Sequence, residues 1–522
     1  GGPSVVLWLP SILIAVSMAI PLLYLIIRGV GASGEAWDLL FRAKTLAIIW
    51  RSLTLMGTVT ILSILIGVPL AWITARSDIP LRRFWSISTA LPLVLPSYVG
   101  ALVIVSALGP TGLAQDILNN LFDIQRLPEI YGLSGATLTL TLINYPLVLL
   151  TVRAAISGID PALEESARSL GANQLTAMIR TTLPQLRPSI ASGSLLVALY
   201  TLSDFGAVSL LRYETFTWAI YQQYQSSFDR TIAASLSLVL VTVAIIVLMV
   251  ETWSKGQGRY YRVGPGTARS QTMVLLGDWK WPAIAFCSAV VTITVVGPAI
   301  VLIYWIQQGI SSGENQLLPW LELWNSCKVA GLAALATTAC SIPVATLAIK
   351  YPSKLSWMLE RLTFTGYALP GIVVALSLVF IGINVAQPIY QTIWILLFAY
   401  IVLFLPIAMG TTSSTLLQIS PRLEEAARGL GRTPIQTLFA IVIPQMRSGI
   451  LTGIAMVFLV TIKELPVTLI LGPLGFKTLA TIIWSTSSEA FYAKAAVPAL
   501  IIMIVSSVPM IFLAWKGERL RA

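Results

Sequence analysis

The sequence predicts an all-α polytopic membrane protein, with twelve transmembrane helices arranged as two duplicated six-helix halves. Three observations carry this. Of 522 residues 56% are hydrophobic and 11% charged, with a mean hydropathy of +0.84, whereas a soluble domain carries roughly 25% charge. A polar stretch occurs twice, at 160–188 and 420–448. Lys and Arg crowd into alternate loops, the bias that orients membrane helices.

A span needs about 20 apolar residues. Such stretches fall at 5–28, 48–75, 86–109, 135–156, 189–211 and 231–253, then at 282–308, 326–349, 362–386, 391–414, 449–471 and 494–515. No cleavable leader is expected, because the first apolar run is long enough to span and stay. The polar, basic, Gly-containing stretch 254–281 reads as a cytoplasmic linker. It divides a first half, 1–253, from a second, 282–522.

With the N-terminus inside, the loops facing the cytoplasm hold 22 of the 33 Lys and Arg residues. Both polar repeats, the linker and the C-terminus then lie inside. The net charge of +11 therefore reads as membrane orientation and contact with the lipid bilayer, and no nucleic-acid partner is expected. His is absent, which removes the commonest metal ligand and general base. Cys287, Cys327 and Cys340 lie in or beside apolar segments and suggest neither a disulfide framework nor a metal site.

The halves are parallel repeats. Glu165 and Glu425, Gly171 and Gly431, Pro184 and Pro444, and Arg187 and Arg447 all stand 260 residues apart. Further upstream the offset is 274: Ser52 matches Ser326, and Leu95-Pro96 matches Leu369-Pro370. The extra length of the first half fits an external loop at 109–135.

Each polar repeat has a predictable shape. Asp160-Pro161 and Ser420-Pro421 read as an N-cap followed by Pro at the first helical position. A short helix follows and stops at Gly171 or Gly431, where glycine can adopt the left-handed conformation. A second helix then runs to Pro184 or Pro444, opened in the second copy by a capping box of Thr433 and Gln436. Two short helices at a glycine elbow make a compact protrusion, suited to a groove on another protein.

These residues carry a resemblance. Glu165-Ser166-Ala167, Gly171 and Thr181-Thr182-Leu183-Pro184 resemble the Glu-Ala-Ala loop of the permease subunits of bacterial type I ABC importers. So do Glu425-Ala426-Ala427, Gly431 and Ile441-Val442-Ile443-Pro444. The chain departs from the motif at Ser166, Thr181 and Ile443. The resemblance implies that Glu164, Glu165, Ala167, Gly171 and Pro184, with Glu424, Glu425, Ala427, Gly431 and Pro444, couple the permease to its motor. It implies two copies of an ABC ATPase subunit, a periplasmic substrate-binding protein and a place in the bacterial inner membrane. No tightly bound cofactor is expected, with ATP held by the partner subunit. The chain itself is not expected to be an enzyme: the nearest approach to a phosphate-binding loop, 472–478, lacks Gly before Lys477 and reads as a turn.

Asp204 and Glu464, again 260 apart, lie inside the fifth and eleventh spans. Intramembrane carboxylates are costly and face polar interiors. Either they line or gate a translocation path or they tie helices together. Asn144 and Lys463 are weaker path candidates. Gly206 and Pro466 weaken each helix just beyond the carboxylate. The stretches 202–221 and 463–484 resemble the ferric iron permease family. Fe(III) prefers oxygen ligands, which makes Asp204 and Glu464 weak metal candidates. Thiamine, polyamine or an oxyanion is the alternative cargo within the same class. An ion-driven secondary transporter is the alternative of a different class.

Overall fold

The computed structural model describes residues 5–30, 42–110, 112–115, 119, 128–159, 162–171, 173–226, 231–254, 273–314 and 317–519. Among them the principal helices are α1 (Val5–Val30), α2 (Ala43–Arg76), α3 (Ser97–Leu108), α4 (Leu133–Ile156), α5 (Ala162–Ser169), α6 (Leu183–Ser203), α7 (Gly206–Leu210), α8 (Phe216–Ser226) and α9 (Thr231–Ser254). The series continues with α10 (Gly277–Ser311), α11 (Trp320–Lys350), α12 (Lys354–Thr363), α13 (Gly371–Asn384) and α14 (Ile393–Leu416). It ends with α15 (Pro421–Gly429), α16 (Arg447–Ile462), α17 (Pro466–Leu471), α18 (Leu479–Ser488) and α19 (Tyr492–Arg519). The only strand-like pairing among the described residues is an isolated bridge between Ser77 and Val274.

Nine of the described helices are long and apolar enough to cross a membrane. The number rises to eleven if two bent pairs each count as one span: Lys354–Tyr367 with Gly371–Asn384, bent by 107°, and Leu438–Gln445 with Arg447–Ile462, bent by 62°. The stretch expected at 189–211 is instead α6 and α7, a helix interrupted between Ser203 and Gly206. The third and ninth stretches likewise break before Pro96 and Pro370, each of which precedes a helix start at Ser97 or Gly371. A proline lacks the N–H that would continue the preceding helix, yet fits at the head of the next one.

The helices gather into two compact units. One comprises Gly1–Thr45, Ala219–Val241 and Asn315–Ala522; the other comprises Leu46–Trp218 and Thr242–Glu314. The first helix of each sequence half therefore packs among helices of the other half. In the first-named unit α1 lies on α11, α12 and α13. Tyr24 stacks on Phe380 at 5.4 Å, and the Arg28 guanidinium lies 5.3 Å from the same ring. In the second-named unit α10 lies on α3.

The repeats build equivalent cores inside these units. α6 crosses α4 and α16 crosses α14, each at a glycine. Gly193 abuts Thr151, and Gly453 abuts Thr411. Small residues at such crossings let backbones approach, which is the main source of packing between helices in lipid. Ser52 accepts a hydrogen bond from the Phe216 amide at 3.2 Å, and its repeat mate Ser326 accepts one from Leu479 at 2.9 Å. The start of the second helix of each half thus caps the start of α8 or α18, satisfying an otherwise orphan N–H.

The linker residues 255–272 lie outside the described residues, as do 111, 116–118 and 120–127 of the external loop. The stretch 472–478 forms a turn, and Thr478 caps α18 through a reciprocal bond with Thr481.

Candidate functional site

Both polar repeats form the expected elbow. In the first, α5 ends at Gly171 with φ +88°, and a short helix begins at Gln174. In the second, α15 ends at Gly431 with φ +83°, and the next turn begins at Pro434. An L side chain in that conformation costs about 1–2 kcal/mol, so glycine sets both corners. Thr433 and Gln436 exchange the predicted capping-box bonds, at 3.0 and 3.3 Å. The second arm does not stop at Pro184 or Pro444, as expected from sequence. It passes through a π turn, Met178–Thr182 or Leu438–Val442, and each proline lies in the first turn of the next helix. Proline is tolerated there, having no N–H to lose.

The two glutamates of each Glu-Glu pair divide their work. Glu164 turns inward and meets Arg76, at the end of α2, at 2.5 Å. Thr182 donates to the same carboxylate oxygen at 3.1 Å. Glu424 likewise turns inward and meets Lys350, at the end of α11, at 2.5 Å. Glu425 is exposed; for Glu165 only the backbone is described. Asp160 and Pro161 lie outside the described residues. Ala427 is buried and Ala167 half-buried beneath the elbows, where a larger side chain would lift the helix. Two leucines that sequence reasoning did not single out stand at the corners: Leu170 is 89% exposed and Leu430 85% exposed. The signal was there in the Leu-Gly pair common to both repeats.

Arg76 and Lys350 also went unremarked, although they stand 274 apart, the offset of Ser52 and Ser326. The end of α2 has a second attachment. The Val274 amide donates to the Arg76 carbonyl at 2.8 Å, and the Asp78 amide to the Val274 carbonyl at 3.2 Å. Asp78 accepts from the Leu276 amide at 3.0 Å and pairs with Lys280 at 2.6 Å. Its bond to Lys280 holds the Asp78 carboxyl below its ordinary value. Between α2, the start of α6 and this strap lies a half-open apolar pocket of about 780 Å³, lined by Trp72, Thr182, Leu186, Val274 and Phe286 among others.

Asp204 and Glu464 sit at the helix breaks. Asp204 follows α6 with extended backbone and accepts hydrogen bonds from the Ala207 and Val208 amides at 2.9 and 3.3 Å. It caps α7 as an N-terminal aspartate does. Ser97 supplies a further hydrogen bond to its carboxylate. Glu464 follows α16 and accepts from the Val467 amide at 3.4 Å, beneath α17. Lys463 occupies the break itself, between Ile462 and Glu464. Asn144 is buried in α4. The described residues contain no cluster of three or more His, Cys, Asp or Glu that could hold a metal ion.

Repeated sets of membrane-length helices, each with an inward-anchored elbow and a carboxylate-capped break, define the permease class of solute transporters. The chain belongs to the family of binding-protein-dependent transport system inner membrane components, whose model matches residues 67–254 and 338–522. It is therefore a multi-pass inner-membrane component of a transport system. It is 34% identical over 507 residues to the Fe(3+)-transport system permease protein FbpB 2 of Haemophilus influenzae, covering 96% of each chain. It is 24% identical over 494 residues to the ferric transport system permease protein FbpB of Actinobacillus pleuropneumoniae, covering 90% of this chain and 71% of that one. The molybdenum transport system permease protein ModB of Escherichia coli K12 is 30% identical over 214 residues, 39% of this chain and 92% of its own.

Proposed function

We propose that the chain is the membrane-spanning permease of an ATP-driven, binding-protein-dependent importer of ferric iron. The observation that carries the iron reading is similarity along 96% of both chains to a permease named for Fe(3+) transport. The molybdenum permease matches 39% of this chain and supports the class more than the cargo.

In this reading twelve spans cross the membrane, with α6–α7 and the two bent pairs each serving as one, and both termini lie in the cytoplasm. The elbows around Gly171 and Gly431 dock on two copies of a separate ATPase subunit. A periplasmic binding protein delivers iron to the outer face. Closure of the ATPase pair draws the elbows together and turns the path outward; hydrolysis resets it. Asp204, Lys463 and Glu464 line or gate the path. The carboxylates supply hard oxygen donors for Fe(III).

The test is uptake of radiolabelled ferric iron by the complex reconstituted in liposomes. ATP-dependent uptake supports the reading. Stimulation by thiamine, polyamine or molybdate in place of iron overturns the cargo, and uptake by the permease alone overturns the class. Gly171→Pro or Glu165→Lys should abolish transport while leaving the protein in the membrane.

A further inference from the structure

The two coupling elbows are repeat mates, yet they are fastened by different physics. Under the second, Val442 and Met446 join Leu416 in a buried apolar cluster, with Ile349, Leu438 and Ile450 packed against it. The mates of Val442 and Met446 in the first half, 260 residues earlier, are Thr182 and Leu186. These two are buried as well and border the half-open pocket beside α2. Val442 thus adds apolar packing under the second elbow where Thr182 places a hydroxyl under the first.

The polar anchors differ in the opposite sense. The Arg76 and Glu164 side chains are 4% and 10% exposed, those of Lys350 and Glu424 18% and 14%. Thr182 adds a bond to Glu164 at 3.1 Å, which Val442 cannot supply to Glu424. Arg76 also carries the linker strap on its carbonyl. Asp78, which closes that strap on Lys280, is replaced by Pro352 at the corresponding place in the second half. A planar guanidinium offers several donors in fixed geometry, which a lysine ammonium does not.

We infer that Arg76 is a positioning residue for the first coupling loop, joining α2, the loop and the linker at one buried charged node, whereas the second loop is positioned by its apolar cluster, with Lys350 an accessory. Removing the charge from each anchor then has unequal consequences. The Arg76 node ties the first loop to α2 through a buried ion pair, and a buried carboxylate stripped of its partner is strongly destabilising. The second loop keeps its packing when Lys350 is neutralised.

The functional half of this inference rests on the coupling role proposed above; the structural half does not. The test is therefore amide hydrogen exchange on the full chain in detergent, without partners. In Arg76→Gln, amides of 162–171 should exchange about tenfold faster, while in Lys350→Gln those of 421–431 change about twofold at most. Arg76→Gln/Glu164→Gln, which leaves no unpaired charge, should recover most of the protection. Equal responses of the two loops, or no response to Arg76→Gln, overturn the inference. In the reconstituted complex, Arg76→Gln should lower iron taken up per ATP hydrolysed more than Lys350→Gln does, at unchanged permease levels. An unequal exchange response with no ATP-driven uptake by the unaltered complex would reject the coupling role and keep the anchoring. Normal uptake per ATP in Arg76→Gln, with the unaltered complex active, would reject Arg76 as a determinant of coupling.

Discussion

The carboxylate of Glu464 lies against the backbone of Gly371: a Cβ placed there would come within 2.6 Å of Glu464 Oε1 and 3.4 Å of Pro466 Cγ. In the first half the mate of Gly371 is Ser97, and the mate of Pro466 is Gly206. There it is Gly206 whose missing Cβ leaves room, 2.9 Å from Ser97 Oγ. Each helix break thus needs one glycine at the crossing, and the halves place it on opposite partners. Gly371→Ser should displace Glu464, lowering uptake about tenfold, as overpacking by 1–3 kcal/mol would. Gly371→Ser/Glu464→Asp/Pro466→Gly, which copies the first half's three residues, should restore most of it. An undiminished rate in the single variant would show that the crossing tolerates a side chain.

Asp204 separates a capping role from a charge role. Asp204→Ala removes the acceptor for the α7 amides and should lower thermal stability in detergent by about 1 kcal/mol; Asp204→Asn keeps an acceptor and should change it by a few tenths. If the charge serves the path, Asp204→Asn lowers iron uptake at near-normal stability. Normal uptake in Asp204→Asn would leave Asp204 a cap alone.

The exposed corner leucines give a direct test of docking. Leu170→Asp and Leu430→Asp should each reduce ATPase co-purification by at least about tenfold, the effect of losing an interface anchor worth roughly 2 kcal/mol. Permease levels should not fall, because neither side chain packs in the core. Retained co-purification in both would move the docking surface elsewhere.

The glycine corners should respond alike. Gly171→Ala and Gly431→Ala each force a methyl-bearing residue into left-handed backbone, at about 1–2 kcal/mol. Exchange of the adjoining elbow amides should rise about tenfold. No rise would mean the corner readjusts without strain.

The strap has a definite pH signature. Asp78 has a folded pKa below its ordinary 3.8. Its contribution is therefore complete above the unfolded value and is lost only as pH falls through the depressed one. Corrected for intrinsic rates, protection of the Val274 and Leu276 amides should be flat from pH 5 to 8 and decline only below about 4. Asp78→Asn should lower it throughout that range. A decline between pH 7 and 5 would assign the strap to another group.

Much of this was legible before any coordinates. Hydrophobic runs located membrane-length helices, nine among the described residues or eleven with the two bent pairs, since lipid demands helices of a set length whatever they pack against. Gly171, Gly431 and the Thr433–Gln436 box located the elbows, because caps and left-handed corners are local matters settled within a few residues. The breaks after Ser203 and Ile462 were foreshadowed by Gly206 and Pro466. The glutamate pairs were legible as a motif but not as a division of labour.

The sequence by itself determined the helices, the duplication and the two protrusions, because each follows from short-range chemistry or from residues repeated at a constant interval. Tertiary structure alone decided which glutamate faces Arg76 or Lys350, which helix packs in which unit, and how deeply each ion pair is buried. Those outcomes depend on side chains 74 or more positions apart meeting in space, and a single sequence carries no signal for which distant partners will meet.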